Sequence, residues 1–217
     1  MTEKVERTKA FLLQKFEESG YYAGRETEKA YRLEHTMRVA NLGKQIAEVE
    51  GMDAEALTIA CLLHDVSYCE GFADSDAWRG HGRRAAQIAR PFLTSLGLAP
   101  QKTAEICYGI AIHVDDQADF EGEKTPFARS VGDADNLDRF DAYRIYETLE
   151  SKGYSTMPLY DKRKMVNSML ARLDALSGME LATGFAAALW KERMAFYRAF
   201  YERLAGQLAA SVFPACM

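Results

Sequence analysis

The sequence is poor in several features that would assign a protein to a class at sight. Its four cysteines, Cys61, Cys69, Cys107 and Cys216, form no CxxC pair and no regular spacing. Cys61 and Cys107 lie on apolar helical runs, where a free cysteine behaves as a small hydrophobe. This reads against a disulfide framework or a thiolate zinc site, and it fits a reducing, cytoplasmic compartment. Long apolar runs are missing as well. The least charged stretch, "LATGFAAALW" at 181–190, falls far short of the roughly 20 residues that a membrane-spanning helix needs. The N-terminus, "MTEKVERTKAFL", mixes charged and apolar residues and reads as a helix rather than a signal peptide. Positive charge is not in excess: a net charge of -5 argues against broad binding to nucleic-acid phosphates. Alternating runs of β-branched residues are also wanting, so strands are not expected.

What the chain has is helical periodicity. Its 217 residues, 48% hydrophobic and 27% charged, suit a soluble all-α protein that folds as one compact domain. The patterns predict about eight helices, near residues 3–19, 27–50, 53–66, 81–96, 101–114, 126–151, 159–176 and 180–209. Gly51, the Gly71–Gly80 segment, "LGLAP" at 96–100 and "SKGYSTMP" at 151–158 supply the breaks. The motif-bearing core is expected over about 27–150, with a helical extension over 151–217. The acidic segment "HVDDQADFEGE" at 113–123 reads as a solvated connection rather than a cation-binding loop. Phe196, Tyr197, Phe200 and Tyr201 on the last helix read as core, with a homodimer contact as the alternative.

Histidine is scarce, and all four copies fall on inward helical stripes. His35 precedes Val39, Leu42, Ile46 and Val49; His64 follows Leu57 and Ala60; His81 heads Ala85, Ile88 and Phe92; His113 closes Ile106 and Ile110. One buried imidazole is ordinarily a satisfied core residue. Four from four helices need a shared partner, and a metal ion supplies one. Asp65, next to His64 at the end of "IACLLHD", reaches the same ion only from a helix end, where the two side chains can converge.

A second source of carboxylates is "SVGDADNLDRFDAYRIYETL", residues 130–149. Its inward stripe is Val131, Asp135, Asp138, Ala142, Ile145 and Leu149, which makes Asp135 the best further ligand. Asp133 lies off that stripe and reads as a first-turn helix acid. Asp138 reads either as an acceptor for a ligand imidazole or as a catalytic acid.

Taken in order, His35 in "LEHTMRVA", His64-Asp65 in "ACLLHD" and Asp135 in "DADNLDRF" form a pattern H…HD…D. It resembles the HD-domain metal-dependent phosphohydrolases over about residues 30–145. His81 and His113 match the extra histidines of some branches of that family, including branches with two metals. The resemblance implies an all-α fold and a ligand set of His35, His64, Asp65 and Asp135, with His81 and His113 holding a second ion or contacting substrate.

Nitrogen and oxygen ligands without thiolate suit Mn, Fe, Co, Ni or Zn, and Mg less well. The expected activity is hydrolysis of a small phosphomonoester or phosphodiester, such as a nucleotide, by metal-bound hydroxide held by Asp65. Arg38, Arg83 and Arg84 are the candidate phosphate contacts, and Asp138 and Glu70 the candidate acids for the leaving group. Two other readings share the ligands: a di-iron HD-type oxygenase, and a non-catalytic metal-binding or ligand-sensing module.

Overall fold

A computed structural model of the chain describes residues 2–211; Cys216 lies outside the described residues. Among those residues every regular element is helical: ten α-helices and three short 3-10 turns. In chain order the α-helices are α1 (Glu3–Glu17), α2 (Glu26–Glu50), α3 (Ala54–Leu63), α4 (Ser75–Arg79), α5 (His81–Ser95), α6 (Pro100–Ile112), α7 (Pro126–Asp138), α8 (Ala142–Ser151), α9 (Leu159–Leu176) and α10 (Gly184–Ala210). The all-α class is as the periodicity predicts.

The count differs from eight in two places. Helix α4 occupies a segment expected to be a break. With five residues it is too short to show a period, and it starts on Asp74, whose carboxylate accepts the Asp76 and Ala77 N–H groups. The helix expected over 126–151 is split into α7 and α8. Asp141 is extended there, at φ -140° and ψ 178°, and its side chain accepts the Ala142 N–H. Ala142 is consequently exposed instead of facing inward, and Ile145 is the buried residue of α8. One stripe also runs out early, because Val49 is 62% exposed. Steps of four, three, four and three average 3.5 residues, so the stripe rotates steadily on a helix of 3.6 residues per turn.

The chain divides into two compact units: residues up to Asp138 together with Leu181–Ala186, and Arg139–Glu180 together with the residues from Ala187 onward. In the first unit α3 is the axis. Every residue from Ala56 to Leu63 is buried, and a helix apolar on all sides is stable only when it is surrounded. Helices α1, α2, α5, α6 and α7 all pack against it. Asp53 caps its start, accepting the Ala56 N–H at 3.0 Å. Helices α5 and α6 approach closely at Gly82, where a Cβ atom would lie 2.7 Å from the Ala111 carbonyl oxygen and 2.9 Å from that of Ile110. This contact brings the first residue of α5, His81, beside the end of α6.

The core of the second unit includes Phe140, Ile145, Val166, Leu173, Trp190, Tyr197 and Tyr201. Phe140 meets Trp190 edge-on at 4.9 Å. Tyr197 and Tyr201 are core residues as expected, whereas Phe196 is 49% exposed. No helix among the described residues is long and apolar enough to cross a membrane.

The α5–α6 contact predicts a contrast between two glycines. Gly82→Ala should cost about 1–3 kcal/mol, as overpacking against rigid backbone does. Gly206→Ala, within α10 and with no heavy atom of the described residues within 4 Å of the new Cβ apart from its chain neighbours and its own helix backbone, should add about 0.5–1 kcal/mol. Urea unfolding midpoints check the pair, and equal midpoints would show that the α5–α6 contact is not tight.

Candidate metal centre

All four histidines are buried, and three of them stand at helix ends. His64 ends α3, His113 ends α6, and His81 opens α5 directly after α4. The last carbonyls of a helix have no partner within it. Here they are met by imidazoles: His64 Nδ1 lies 2.7 Å from the Cys61 carbonyl, His113 Nδ1 2.7 Å from that of Ile110, and His81 Nδ1 2.6 Å from that of Trp78. A carbonyl only accepts, so each Nδ1 carries the proton and donates it. His35, within α2, uses Nδ1 in the same way on the Asp138 carboxylate, at 2.7 Å. Each ring therefore keeps Nε2 for the centre of the unit.

The four Nε2 atoms face Asp65. Its Oδ2 lies 3.6 Å from His35 and 3.4 Å from His64, while its Oδ1 lies 3.1 Å from His81 and 3.7 Å from His113. Asp135 Oδ1 adds a second carboxylate oxygen, 3.2 Å from His35 and 4.0 Å from His64. Donor atoms of His35, His64 and Asp135 lie within 4.8 Å of one another, as do those of His64, Asp65 and His113. Adjacent His64 and Asp65 can converge because the chain leaves the helix between them: Asp65 sits at φ -107° and ψ 14°.

Two features test whether this donor set suits a metal ion. His64 Nε2 is buried and has no hydrogen-bond partner among the described residues. His81 Nε2 and His113 Nε2 are 3.2 Å apart, with both Nδ1 atoms already donating elsewhere, so two lone pairs face each other unless a proton or a cation joins them. Buried polar atoms left this way are costly. A divalent ion satisfies both, and imidazole and carboxylate donors suit first-row transition metals.

Charge around the site is balanced by residues of α2. Burial favours a neutral Asp65, but His64 and the Arg32 guanidinium outweigh it and hold the carboxyl well below the usual carboxylate range. Arg32 Nη1 is 2.5 Å from Asp65 Oδ2, and the guanidinium lies 3.5 Å from the centre of the Tyr68 ring. Arg32 is a site residue that the histidine stripes did not reveal, although it stands one turn before His35. Burial likewise opposes ionisation of Asp138, and hydrogen bonds from His35 and Arg38 again win, lowering its pKa. Arg38 Nε and Nη2 fork onto the two Asp138 oxygens at 2.7 and 3.1 Å. Burial alone would depress His35, but Asp135, Asp138 and Asp65 together push it up to about 10.

The remaining candidates form pairs of their own. Arg83 Nη1 contacts both Asp115 oxygens at 2.9 and 2.8 Å. Arg84 pairs with Glu70 at 2.6 and 2.7 Å on the surface, and this hydrogen bonding lowers the Glu70 pKa. Asp133 is not a first-turn acid. It is buried within α7, where it accepts the Ala182 N–H at 2.7 Å, and burial pushes its pKa up to about 6.

The His35 value sets a pH dependence. It lies above that of an unfolded histidine, about 6.5. The protonated ring thus stabilises the metal-free fold fully below that pH, and the effect is lost as pH rises toward about 10. The metal-free protein should lose stability steadily across this window. A metal ion held at His35 Nε2 would take the place of that proton, so metal-loaded protein should show a flatter curve, and loading in weak buffer at about pH 8 should release about one proton. Thermal melts at several pH values and pH-stat titration check this. Uptake without proton release would contradict the assignment of His35.

Comparison with known proteins shows the family and the fold. The HD domain family model matches residues 32–140, half of the chain. The fold is similar to that of the crystal structure of a predicted HD superfamily hydrolase from an uncultured Thermotogales bacterium, with a TM-score of 0.61 at 21% identity over 93% of this chain and 91% of that one. No curated protein matches the chain at a significant level. The matched span holds His35, His64, Asp65, His81, His113, Asp135 and Asp138, the residues that build the buried cluster, and the chain belongs to the HD-domain family.

Proposed function

We propose that the protein is a metal-dependent phosphohydrolase that cleaves a small phosphomonoester or phosphodiester, such as a nucleotide. The observation that carries this reading is the convergence of four imidazole Nε2 atoms and two carboxylates on one buried point, with the guanidinium of Arg32 bonded to Asp65 and that of Arg38 to Asp138. The chemistry that a divalent ion held there would supply is a lowered pKa for coordinated water and polarisation of a phosphoryl oxygen. His35, His64, Asp65 and Asp135 are the residues that would hold a first ion. His81 and His113, on the Oδ1 side of Asp65, would hold a second.

The chain's own contribution is positioning and charge. Nδ1 hydrogen bonds fix each ligand ring, the Asp138–Arg38 fork fixes His35, and Arg32 keeps Asp65 ionised within the core. Neither candidate acid is held protonated, since the pKa of Asp138 and that of Glu70 are both lowered. Asp138 therefore serves as the anchor of His35. Arg38, 30% exposed, remains the best of the candidate phosphate contacts, because Arg83 and Arg84 are each bound to a carboxylate outside the cluster.

A second reading has one observation behind it. Asp65 splits its two oxygens between two pairs of histidines, an arrangement that equally suits a di-iron centre reacting with dioxygen. A phosphoester panel run with Mn, Co, Ni, Zn and Mg, beside oxygen uptake by iron-loaded protein, separates the two. Phosphate release without oxygen uptake is expected. His64→Ala and Asp65→Ala should each lose metal and at least about a hundredfold in kcat/KM, the scale of a lost charge-stabilising group. Full turnover by metal-depleted variants would refute the proposal.

A further inference from the structure

Between Gly71 and Gly80 the chain carries aromatic residues that the core of the first unit does not use. Trp78 is 44% exposed, unusual for a side chain that is highly buried on average. It is nevertheless firmly held. Asp74 caps the short helix that bears it, and the indole N–H donates to the Tyr68 hydroxyl at 3.0 Å. The Trp78 carbonyl accepts the His81 Nδ1 proton at 2.6 Å. The backbone that orients one candidate metal ligand thus belongs to the residue whose own ring lies 5.9 Å from that imidazole, tilted at 43°. Phe72 stands 6.0 Å from the same imidazole and Tyr68 5.1 Å from it. Three aromatic rings surround His81, and Trp78 is the most exposed of them.

We infer that Trp78, supported by Phe72 and Tyr68, is a stacking platform for the purine ring of a nucleotide whose phosphate occupies the candidate metal centre. The inference rests on the phosphohydrolase reading and names its substrate class. A firmly held, exposed indole whose ring lies beside the His81 imidazole offers a flat face next to the candidate metal centre. Such a face binds a planar base and gains little from a sugar or alkyl phosphate. Stacking of one base on an aromatic side chain is worth about tenfold or more in affinity, and a purine covers more of an indole than a pyrimidine does.

The platform can be tested without turnover. The chain has two tryptophans, and the other, Trp190, is only 5% exposed in the second unit, so quenching of tryptophan fluorescence by a ligand reports on Trp78. Adenosine 5′-monophosphate should quench the emission of the metal-loaded protein saturably, and calorimetry should show it binding at least about tenfold more tightly than ribose 5-phosphate. Trp78→Phe, which keeps a ring, should retain most of this preference, and Trp78→Ala should abolish the difference between the two ligands. Equal affinities in the wild type with no quenching, or a preference that survives Trp78→Ala, would overturn the platform while leaving the phosphohydrolase reading intact. Metal-loaded protein that binds neither compound but hydrolyses another phosphoester would overturn the platform alone, and protein that also hydrolyses none would contradict the phosphohydrolase reading.

Discussion

An ionised carboxylate buried at the end of an apolar helix is the constraint around which the first unit is built. Taking such a charge out of water costs several kcal/mol even after the surroundings relax. Asp65 is 3% exposed and cannot turn to solvent, because α3 is enclosed by five other helices. Its charge must be met within the core. One guanidinium from α2 and four imidazoles from α2, α3, α5 and α6 meet it. The apolar run "IACLL" and the pair His64-Asp65 that closes it are two parts of one solution: the run buries the helix, and the pair brings an imidazole and a carboxylate to its buried end.

The same economy explains how the four imidazole rings are fixed. The end of a buried helix leaves carbonyls that water cannot reach, and an imidazole three residues later on the chain satisfies one of them. That bond chooses the tautomer and aims Nε2 away from the helix. His35, in the middle of α2, has no unpaired helix carbonyl to use, so a carboxylate takes that role and is itself forked by Arg38. Close packing then sets the spacing between rings. The absence of a side chain at Gly82 lets α5 and α6 come near enough for His81 and His113 to meet.

Much of this was legible in the sequence because burial and periodicity carry it. The histidine stripes, the helix-end placement of His64-Asp65 and the inward position of Asp138 follow from counting threes and fours. Arg32 escaped because a charged residue on a helix ordinarily faces water; only its spacing of three from His35 marked it. Asp133 does not fit the first-turn role even on the predicted helix start at 126, two turns before it; what it does, accepting the Ala182 N–H from a distant part of the chain, leaves no periodic signal. The break at Asp141 was hidden by apolar residues that stay in phase across it, although "FDAY" has the chemistry of a helix start. Helix α4 and its exposed Trp78 were beyond any periodic signal, since five residues make little more than one turn.

Anomalous diffraction from crystals of the protein as purified, collected at the absorption edges of the first-row metals, tests the central claim most directly. The account predicts a peak within about 2.0–2.2 Å of His64 Nε2, the usual length of a metal–imidazole or metal–carboxylate bond, with carboxylate oxygens of Asp65 and Asp135 in the same shell. A cluster that takes up no metal, with His64 Nε2 turned to a protein hydrogen bond instead, would contradict it.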